Sequence, residues 1–327
     1  MKRVGLGFLG DAPTEEMLSH VKLAEAIGFE SVWMSETRFV KDAFTMLGAF
    51  SQVTTRMGLA TAVINPFTRH PVLTAVSLAT LDHLSKGRAI FGIGAGSPLI
   101  LRRQGIKLEQ PLGRVRETIE VIERLLAGEA VTYRGSHAPA DGVRLDVKPI
   151  RRRVPVYIGA TGPRMLQLAG KISDGVILNS PTSPNYLQRA SAMVLREAES
   201  EGRRAIDVAA CIECAVSDSS EEAKDLVRPV VTKYLAYFPA IAKESNVEES
   251  LLEEIKSTVM TKGVDRALSL VNDDIVDSIT AAGTEDEFLS KLETYFNAGV
   301  MLPVLFPHGS KQQVDKAIKA CGGLLLQ

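Results

Sequence analysis

A chain of 327 residues with 38 lysines and arginines against 39 aspartates and glutamates carries a formal net charge of −1. No long run of either sign interrupts this balance, which argues against a nucleic-acid surface and a polybasic membrane anchor. No apolar stretch approaches the roughly 18 residues of a membrane span, and three cysteines are too few for a disulfide framework. We therefore expect a soluble, cytoplasmic protein.

The first third of the chain alternates between short apolar runs and longer amphipathic segments. Runs rich in β-branched residues predict strands, and apolar residues at helical spacing predict helices. Pro71 suits the first turn of a helix, and Lys86 with Gly87 suits a helix end. These patterns predict strands at 4–9, 31–35, 57–64 and 88–93, and helices at 14–27, 44–53 and 71–85.

The alternation pauses after residue 96 and then resumes. A long connection leads to a helix at 112–126, and the turn-rich stretch after it predicts an inserted β-hairpin with strands at 131–133 and 143–147. Pro229 predicts a kink or a break in its helix, and Thr284 with Glu287 forms a capping box. The later patterns predict strands at 154–159, 175–178, 208–216 and 300–306, and helices at 163–172, 185–201, 221–237, 284–299 and 311–320.

Residues 238–280 interrupt this pattern because they are mostly helical in character and contain no clear strand. We interpret them as a helical insertion or lid within a single domain that spans 1–327. Eight predicted strands alternating with helices favour an α/β fold of the closed (β/α)8 TIM-barrel type with insertions, over an open doubly wound sheet. In either fold, ligands bind at the carboxyl ends of the strands.

Glycines follow two of these strands. The cluster at 92–96 is not a dinucleotide fingerprint, because Ser97 stands where the pattern needs glycine; it still permits a flat ring to approach the backbone. Residues 159–163 join a strand to a helix that begins at Pro163, where free N–H groups attract anions. An ordinary strand-to-helix turn is the alternative for 159–163.

Polar candidates are few. Glu36 and Arg38 follow the second strand, although two charges in a surface loop are the commoner explanation. His70 is interpreted as a helix cap, His308 as a weak candidate at the last strand end, and no histidine pair has metal-ligand spacing. Cys211 and Cys214 lie three apart on a strand and should face opposite ways. If the carboxyl ends of the strands carry few acid–base side chains, the site there suits a cofactor that carries the reactive chemistry itself.

Several segments resemble the bacterial luciferase-like superfamily, and within it the methylenetetrahydromethanopterin reductases that use coenzyme F420, a deazaflavin. The similar stretches are GFESVWMSE at 28–36, NPFTRHP and the helix after it at 65–84, GRAIFGIGAG at 87–96, and VPVYIGATGPRMLQLAGKISDGVILN at 154–179. The resemblance implies a barrel that is dimeric or tetrameric. It also implies hydride transfer between C5 of F420 and a carbon of a small substrate such as a pterin of one-carbon metabolism.

The resemblance also implies a cofactor site. Its third strand would bulge at a non-proline cis peptide between Ala62 and Val63, which supports the ring, and the cofactor tail would lie near 159–163. Glu36 is the candidate catalytic acid or polar orienter. The implied cofactor-binding residues are Thr61, Ala62, Val63, Asn65, Gly94, Ala95, Gly96, Gly159, Ala160, Thr161, Gly162, Pro163 and Asn179.

Two positions depart from the reductases. Their Asp-His pair after the second strand reads Glu36-Thr37 here, and Gly7 stands where they carry a carboxylate in the first strand. Threonine cannot act as a base near neutral pH, so the proton donor or the substrate would differ. Two alternatives therefore stay open: an FMN-dependent monooxygenase, whose flavin can pass single electrons to oxygen, and a non-catalytic cofactor-binding member.

Overall fold

The computed structural model describes residues 2–36, 39–147, 150–203 and 205–325. Its strands are β1 Gly5–Phe8, β2 Ser31–Met34, β3 Gly58–Thr61, β4 Ala89–Gly94, β5 Val131–Tyr133, β6 Ala140–Val143, β7 Val156–Ala160, β8 Gly175–Leu178, β9 Asp207–Val216, β10 Ala281–Gly283 and β11 Leu302–Pro307. Its longer helices are α1 Thr14–Ile27, α2 Ala43–Val53, α3 Pro71–Ser85, α5 Pro111–Leu126, α6 Pro163–Ile172, α7 Pro184–Ser200, α8 Ser220–Tyr237, α10 Glu249–Lys262, α13 Glu285–Asn297 and α14 Lys311–Ala320. Short helices are α4 Pro98–Arg103, α9 Pro239–Ala242, α11 Val264–Ala267, α12 Asp273–Ile279 and α15 Gly322–Leu325, with a 3₁₀ turn at Leu268–Leu270.

Eight parallel strands close into a barrel in the order β1-β2-β3-β4-β7-β8-β9-β11, and β11 pairs again with β1. The prediction of a (β/α)8 barrel is confirmed. Strand β10, which the sequence did not predict, lies outside this ring and pairs with the carboxyl end of β9. The sequence does not predict this strand because its three small residues show no alternation between apolar and polar side chains.

Side chains alternate between the barrel interior and the surrounding helices, as the two-residue period of a strand requires. On β9, Ala209 and Cys211 face the interior cluster, whereas Cys214 packs among the helices. The opposite orientation predicted for the two cysteines is therefore confirmed. The interior is filled by Trp33 and Tyr157, whose rings meet edge to face with centroids 5.2 Å apart.

Polar groups close the amino end of the barrel. Arg3 donates two hydrogen bonds to Asp207, at 2.9 and 2.7 Å, and Tyr157 donates its hydroxyl to the same carboxylate at 2.7 Å. Burial, followed by the charge of Asp207, raises the pKa of Tyr157, so the phenol stays neutral. Since this end is occupied, ligand access is expected at the carboxyl end.

Local signals place most helix starts correctly. His70 caps α3 by accepting a hydrogen bond from the Val72 amide at 3.3 Å, and Pro71 follows at the first helical position. Thr284 and Glu287 form the predicted capping box of α13. One prediction is wrong: the second hairpin strand lies at Ala140–Val143 instead of 143–147. Helix α8 runs through Pro229 without the break that was one of the two outcomes predicted there. Helix α4 lies in the long connection that follows β4.

The basic residues just before β7 have a structural role in their described part, 150–153. Arg151 donates from Nε to Asp82 at 3.0 Å, from Nη2 to the same carboxylate at 2.5 Å, and to the Ala89 carbonyl at 2.6 Å. Arg153 pairs with Asp174 at 2.7 Å. These contacts fix the segment before β7 against α3, the start of β4 and the residue before β8.

Residues 238–280 are helical throughout most of their length, as predicted. Their apolar side chains form a separate cluster with α8, which includes Val227, Val231, Ile255 and Val259. The backbone carbonyl of Glu244 accepts hydrogen bonds from the amide and hydroxyl of Ser183, both at 3.0 Å. This segment is therefore tied to the loop that follows β8. In the described parts of the chain, no helix is both long and apolar enough to cross a membrane.

Candidate active site

The carboxyl end of β3 carries an extra residue relative to β4. Ala60 pairs with Ile90, and the next bridge joins Ile64 to Ile93, so four steps along one strand match three along the other. This mismatch is a β-bulge. A cis peptide bond joins Ala62 to Val63 within it, as the resemblance implied.

Glycines on the neighbouring strands make room for the bulge. A Cβ atom at Gly94 would lie 2.7 Å from Val63 Cγ2, and one at Gly159 would lie 3.2 Å from Val63 Cγ1. A Cβ at Gly92 would lie 1.9 Å from the Thr61 carbonyl oxygen. Gly94 and Gly159 leave room for the Val63 side chain, and Gly92 leaves room for the Thr61 backbone. Val63 thereby forms an apolar wall at the mouth of the barrel, which could contact one face of a planar ring.

Thr61 and Asn65 hold the two ends of the bulge. The buried Thr61 hydroxyl donates to the Gly92 carbonyl at 2.8 Å and accepts from the Gly92 amide at 2.9 Å. Asn65 is buried and donates to the Ala95 carbonyl at 3.3 Å. Gly96 has φ +70°, and a Cβ there would lie 2.1 Å from Asn65 Nδ2. The structure therefore brings together the predicted residues of the loops after β3 and β4.

Residues 159–163 end β7 and begin α6. The cap residue Gly162 has no side chain to satisfy the first amides, no acidic residue occupies the first turn, and a Cβ at this position would meet nothing within 4 Å. Tyr186 donates its hydroxyl to the Thr161 carbonyl at 2.8 Å and so fixes the loop. Exposed amides at a helix N-terminus suit a phosphate or carboxylate.

Glu36 is 8% exposed and lies against Arg69, which follows β3. Arg69 Nε donates to one carboxylate oxygen at 2.6 Å, and the Ala43 amide donates to the other at 3.3 Å. Arg69 also pairs with Asp42. Glu36 thus connects the loops after β2 and β3, a geometry that suits an orienting role. Residues 37 and 38, which include the predicted candidate Arg38, lie outside the described residues.

The opposite side of the mouth contains a buried carboxylate that the sequence analysis missed. Glu213, on the interior face of β9, is 1% exposed. It accepts hydrogen bonds from Ser180 Oγ at 2.8 Å and from His308 Nε2 at 2.6 Å. Asn179 precedes this cluster, and its side chain accepts from the Ser180 amide at 3.0 Å. The sequence signal that could have predicted this site is a charged residue within the apolar run of β9.

Gly7 faces the interior on β1, and its place is taken by a ring. A Cβ at Gly7 would lie 2.4 Å from Phe306, which projects inward from the neighbouring β11. Phe306 is in register with Glu213 on β9. The position expected to carry a first-strand carboxylate is therefore apolar, and a carboxylate lies two strands away instead.

Comparison with known proteins agrees with this geometry. Residues 3–302 match the family described as luciferase-like monooxygenases. The chain is 32% identical to 5,10-methylenetetrahydromethanopterin reductase of Methanolobus tindarius, over 97% of this chain and 98% of that protein. The structure of the F420-dependent tetrahydromethanopterin reductase of Methanopyrus kandleri superposes with a TM-score of 0.89 at 27% identity, covering 98% of this chain and 97% of that one.

A more distant structure shares the fold alone. The oxygenating constituent of 3,6-diketocamphane monooxygenase from Pseudomonas putida, in complex with FMN, gives a TM-score of 0.75 at 17% identity, covering 98% and 97% of the two chains.

Proposed function

Since this chain belongs to the luciferase-like monooxygenase family, we propose that it is a coenzyme F420-dependent oxidoreductase that reduces a methylene carbon held between two nitrogens, as in 5,10-methylenetetrahydromethanopterin. The observation that carries the proposal is the apolar wall of Val63 backed by Gly94 and Gly159, in a chain similar over its whole length to a reductase of this type. When bound, F420 supplies the hydride from C5 of its deazaflavin.

The residues around the mouth of the barrel would each contribute to binding or positioning of the cofactor. Val63 and the glycines behind it would contact one face of the ring and fix its distance from the substrate. The open first turn of α6 at Gly162 and Pro163 would bind the anionic tail of the cofactor. Glu36 would orient Arg69 and the loop after β3. Positioning of this kind is the main contribution a protein can make to hydride transfer.

Turnover tests the proposal directly. Purified protein mixed with reduced F420 and 5,10-methylenetetrahydromethanopterin should regenerate oxidised F420, seen as the return of its visible absorbance, and no such return should occur without the pterin. Reduced FMN and oxygen serve as the matched alternative. Oxygen consumption with FMN and no reaction with F420 would contradict the proposal.

We extend the proposal to a homodimer or homotetramer that forms through α3. Leu73, Val76 and Leu84 on this helix are 63%, 40% and 46% exposed, an apolar stripe on one helix face. Replacing Leu73 and Val76 by aspartate should yield monomers in light scattering coupled to size-exclusion chromatography, because two buried charges would oppose association. The Met260→Asp control, at a 65% exposed position on α10, should leave the oligomer unchanged; a monomeric wild-type protein would contradict the assignment.

Two further parts of the proposal concern location and access. Buried thiols such as Cys214 and Cys321 suit the reducing cytoplasm, where we place the protein. The insertion at 238–280 would act as a lid, because Glu244 holds Ser183 in the loop that also carries Ser180, a hydrogen-bond partner of Glu213.

A further inference from the structure

The pair formed by Glu213 and His308 lies where a proton-transfer group is needed. Glu213 is near the carboxyl end of β9, Ser180 follows β8, and His308 follows β11. All three therefore lie on the same face of the barrel as the wall formed by Val63, on the side of the mouth opposite β3 and β4. We propose, on the basis of the proposed function, that His308 gives and takes the proton that accompanies hydride transfer, with Glu213 and Ser180 as its positioning residues.

Hydrogen bonding fixes which ring nitrogen can exchange the proton. His308 Nε2 lies 2.6 Å from a carboxylate oxygen of Glu213. Because a carboxylate only accepts hydrogen bonds, Nε2 must carry the hydrogen of this bond. Ser180 Oγ donates a hydrogen bond to the other carboxylate oxygen at 2.8 Å. The second ring nitrogen, Nδ1, makes no hydrogen bond to any residue that the structure describes. Because the His308 side chain is 20% exposed, Nδ1 is left to a substrate or to water.

The other ionisable groups near Glu213 are neutral. Burial, followed by the neighbouring charges, raises the pKa of Tyr295 and that of the Cys214 thiol, so neither adds a negative charge. In the described part of the chain, the ion pair at Glu213 is the one with His308. At the other end of the interior, Asp207 is paired with Arg3. His308 is therefore the partner that can balance the Glu213 charge.

Phe306 explains why the pair takes over this role. Its ring fills the space above Gly7, so β1 presents no acid to the mouth. Phe306 and His308 are two residues apart and face the same side of β11, which places the imidazole one layer nearer to the mouth than the ring. The buried acid and its histidine thus stand on β9 and β11 instead of β1.

The proposed step is balanced. The methylene carbon receives the hydride, its bond to one nitrogen breaks with the electron pair left on that nitrogen, and this nitrogen takes a proton from Nδ1 of His308. Reduced F420 loses one hydride and one proton in becoming oxidised, so that proton restores His308 through solvent. The carboxylate of Glu213 stabilises the imidazolium while it exists.

Replacement of His308 by alanine should lower kcat and kcat/KM together, by about 100-fold or more, since an acid–base group acts in the transition state. The Kd for F420, measured by fluorescence titration, should change less than about twofold. An unchanged Kd would show that the cofactor site is still folded in the variant. Added imidazole should restore part of the lost rate. His137→Ala, in the hairpin, is the matched control and should behave as wild type.

Two positioning variants add a readout that does not depend on turnover. In ¹⁵N NMR of the ring without cofactor, wild-type His308 should carry its hydrogen on Nε2. Glu213→Gln should alter these ¹⁵N signals and lower kcat by about tenfold. In the glutamine amide only the oxygen accepts hydrogen bonds, whereas both oxygens of the carboxylate do so. Ser180→Ala should cause a smaller loss of kcat.

The possible failures are distinct. Full activity of His308→Ala, or wild-type NMR spectra in which Nδ1 carries a hydrogen and Nε2 carries none, would overturn the proton-transfer role and leave the proposed function standing. Absence of F420 turnover in the wild-type protein would overturn both.

Discussion

Replacement of Gly92 by alanine should lower the free energy of unfolding by about 3 kcal/mol, because overpacking that moves backbone costs as much as this. The added Cβ would lie 1.9 Å from the Thr61 carbonyl oxygen, an atom that cannot rotate away. Relief of the clash would displace Thr61 and the bulge after it, so F420 binding should weaken by about tenfold or more, equivalent to about 1.4 kcal/mol. Denaturant unfolding and a fluorescence titration measure the two effects.

Gly48 provides the matched control for this substitution. It lies in α2, where a Cβ would meet Leu84 at 3.7 Å, an ordinary contact. Gly48→Ala should therefore stabilise the protein by about 0.5 to 1 kcal/mol, since alanine favours a helix interior over glycine. A Gly92→Ala protein as stable as wild type, with unchanged F420 affinity, would show that the bulge does not depend on this glycine.

Replacement of Asp82 by alanine should cost about 3 kcal/mol, the lower end of the range for breaking a buried ion pair. The Asp82 side chain is 1% exposed, so its loss leaves Arg151 without a buried partner; the lower value applies because Arg151 is 31% exposed and can be rehydrated in part. Arg151 would keep its hydrogen bond to the Ala89 carbonyl. Urea unfolding followed by circular dichroism measures the change.

The exposed pair of Arg134 and Asp141, 3.5 Å apart with side chains 83% and 81% exposed, is the control. Asp141→Ala should change stability by less than about 0.5 kcal/mol, because water and salt screen such pairs. The double variant Asp82→Leu with Arg151→Met should recover much of the loss, since it leaves no uncompensated charge. Equal losses for Asp82→Ala and Asp141→Ala would contradict the account.

The sequence was most informative where a local rule decides the structure. Apolar runs and helical spacing predicted the eight barrel strands, and Pro71, Thr284 and Pro163 marked helix starts because capping depends on a few adjacent residues. It was less informative at β10, where Ala281, Ala282 and Gly283 show no pattern and only pairing with β9 makes a strand.

The site was predictable in part for the same reason. Gly94 and Gly159 lie at the carboxyl ends of β4 and β7, and residues at strand ends of such a barrel commonly line the site. Glu213 was missed because its meaning depends on Ser180 and His308, which are far from it along the chain and meet it only after the barrel closes. The ion pair between Glu36 and Arg69 joins two loops in the same way.

The most direct test of the account is a fluorescence titration of the purified protein with F420 and, separately, with FMN. Binding of F420 in the micromolar range or tighter, with weak binding of FMN, is the predicted result. The affinity for F420 should fall by about tenfold or more in Gly92→Ala and be unchanged in Gly48→Ala. Tight binding of FMN with no response to F420 would contradict the central claim and assign the protein to the oxygen-using branch of its family.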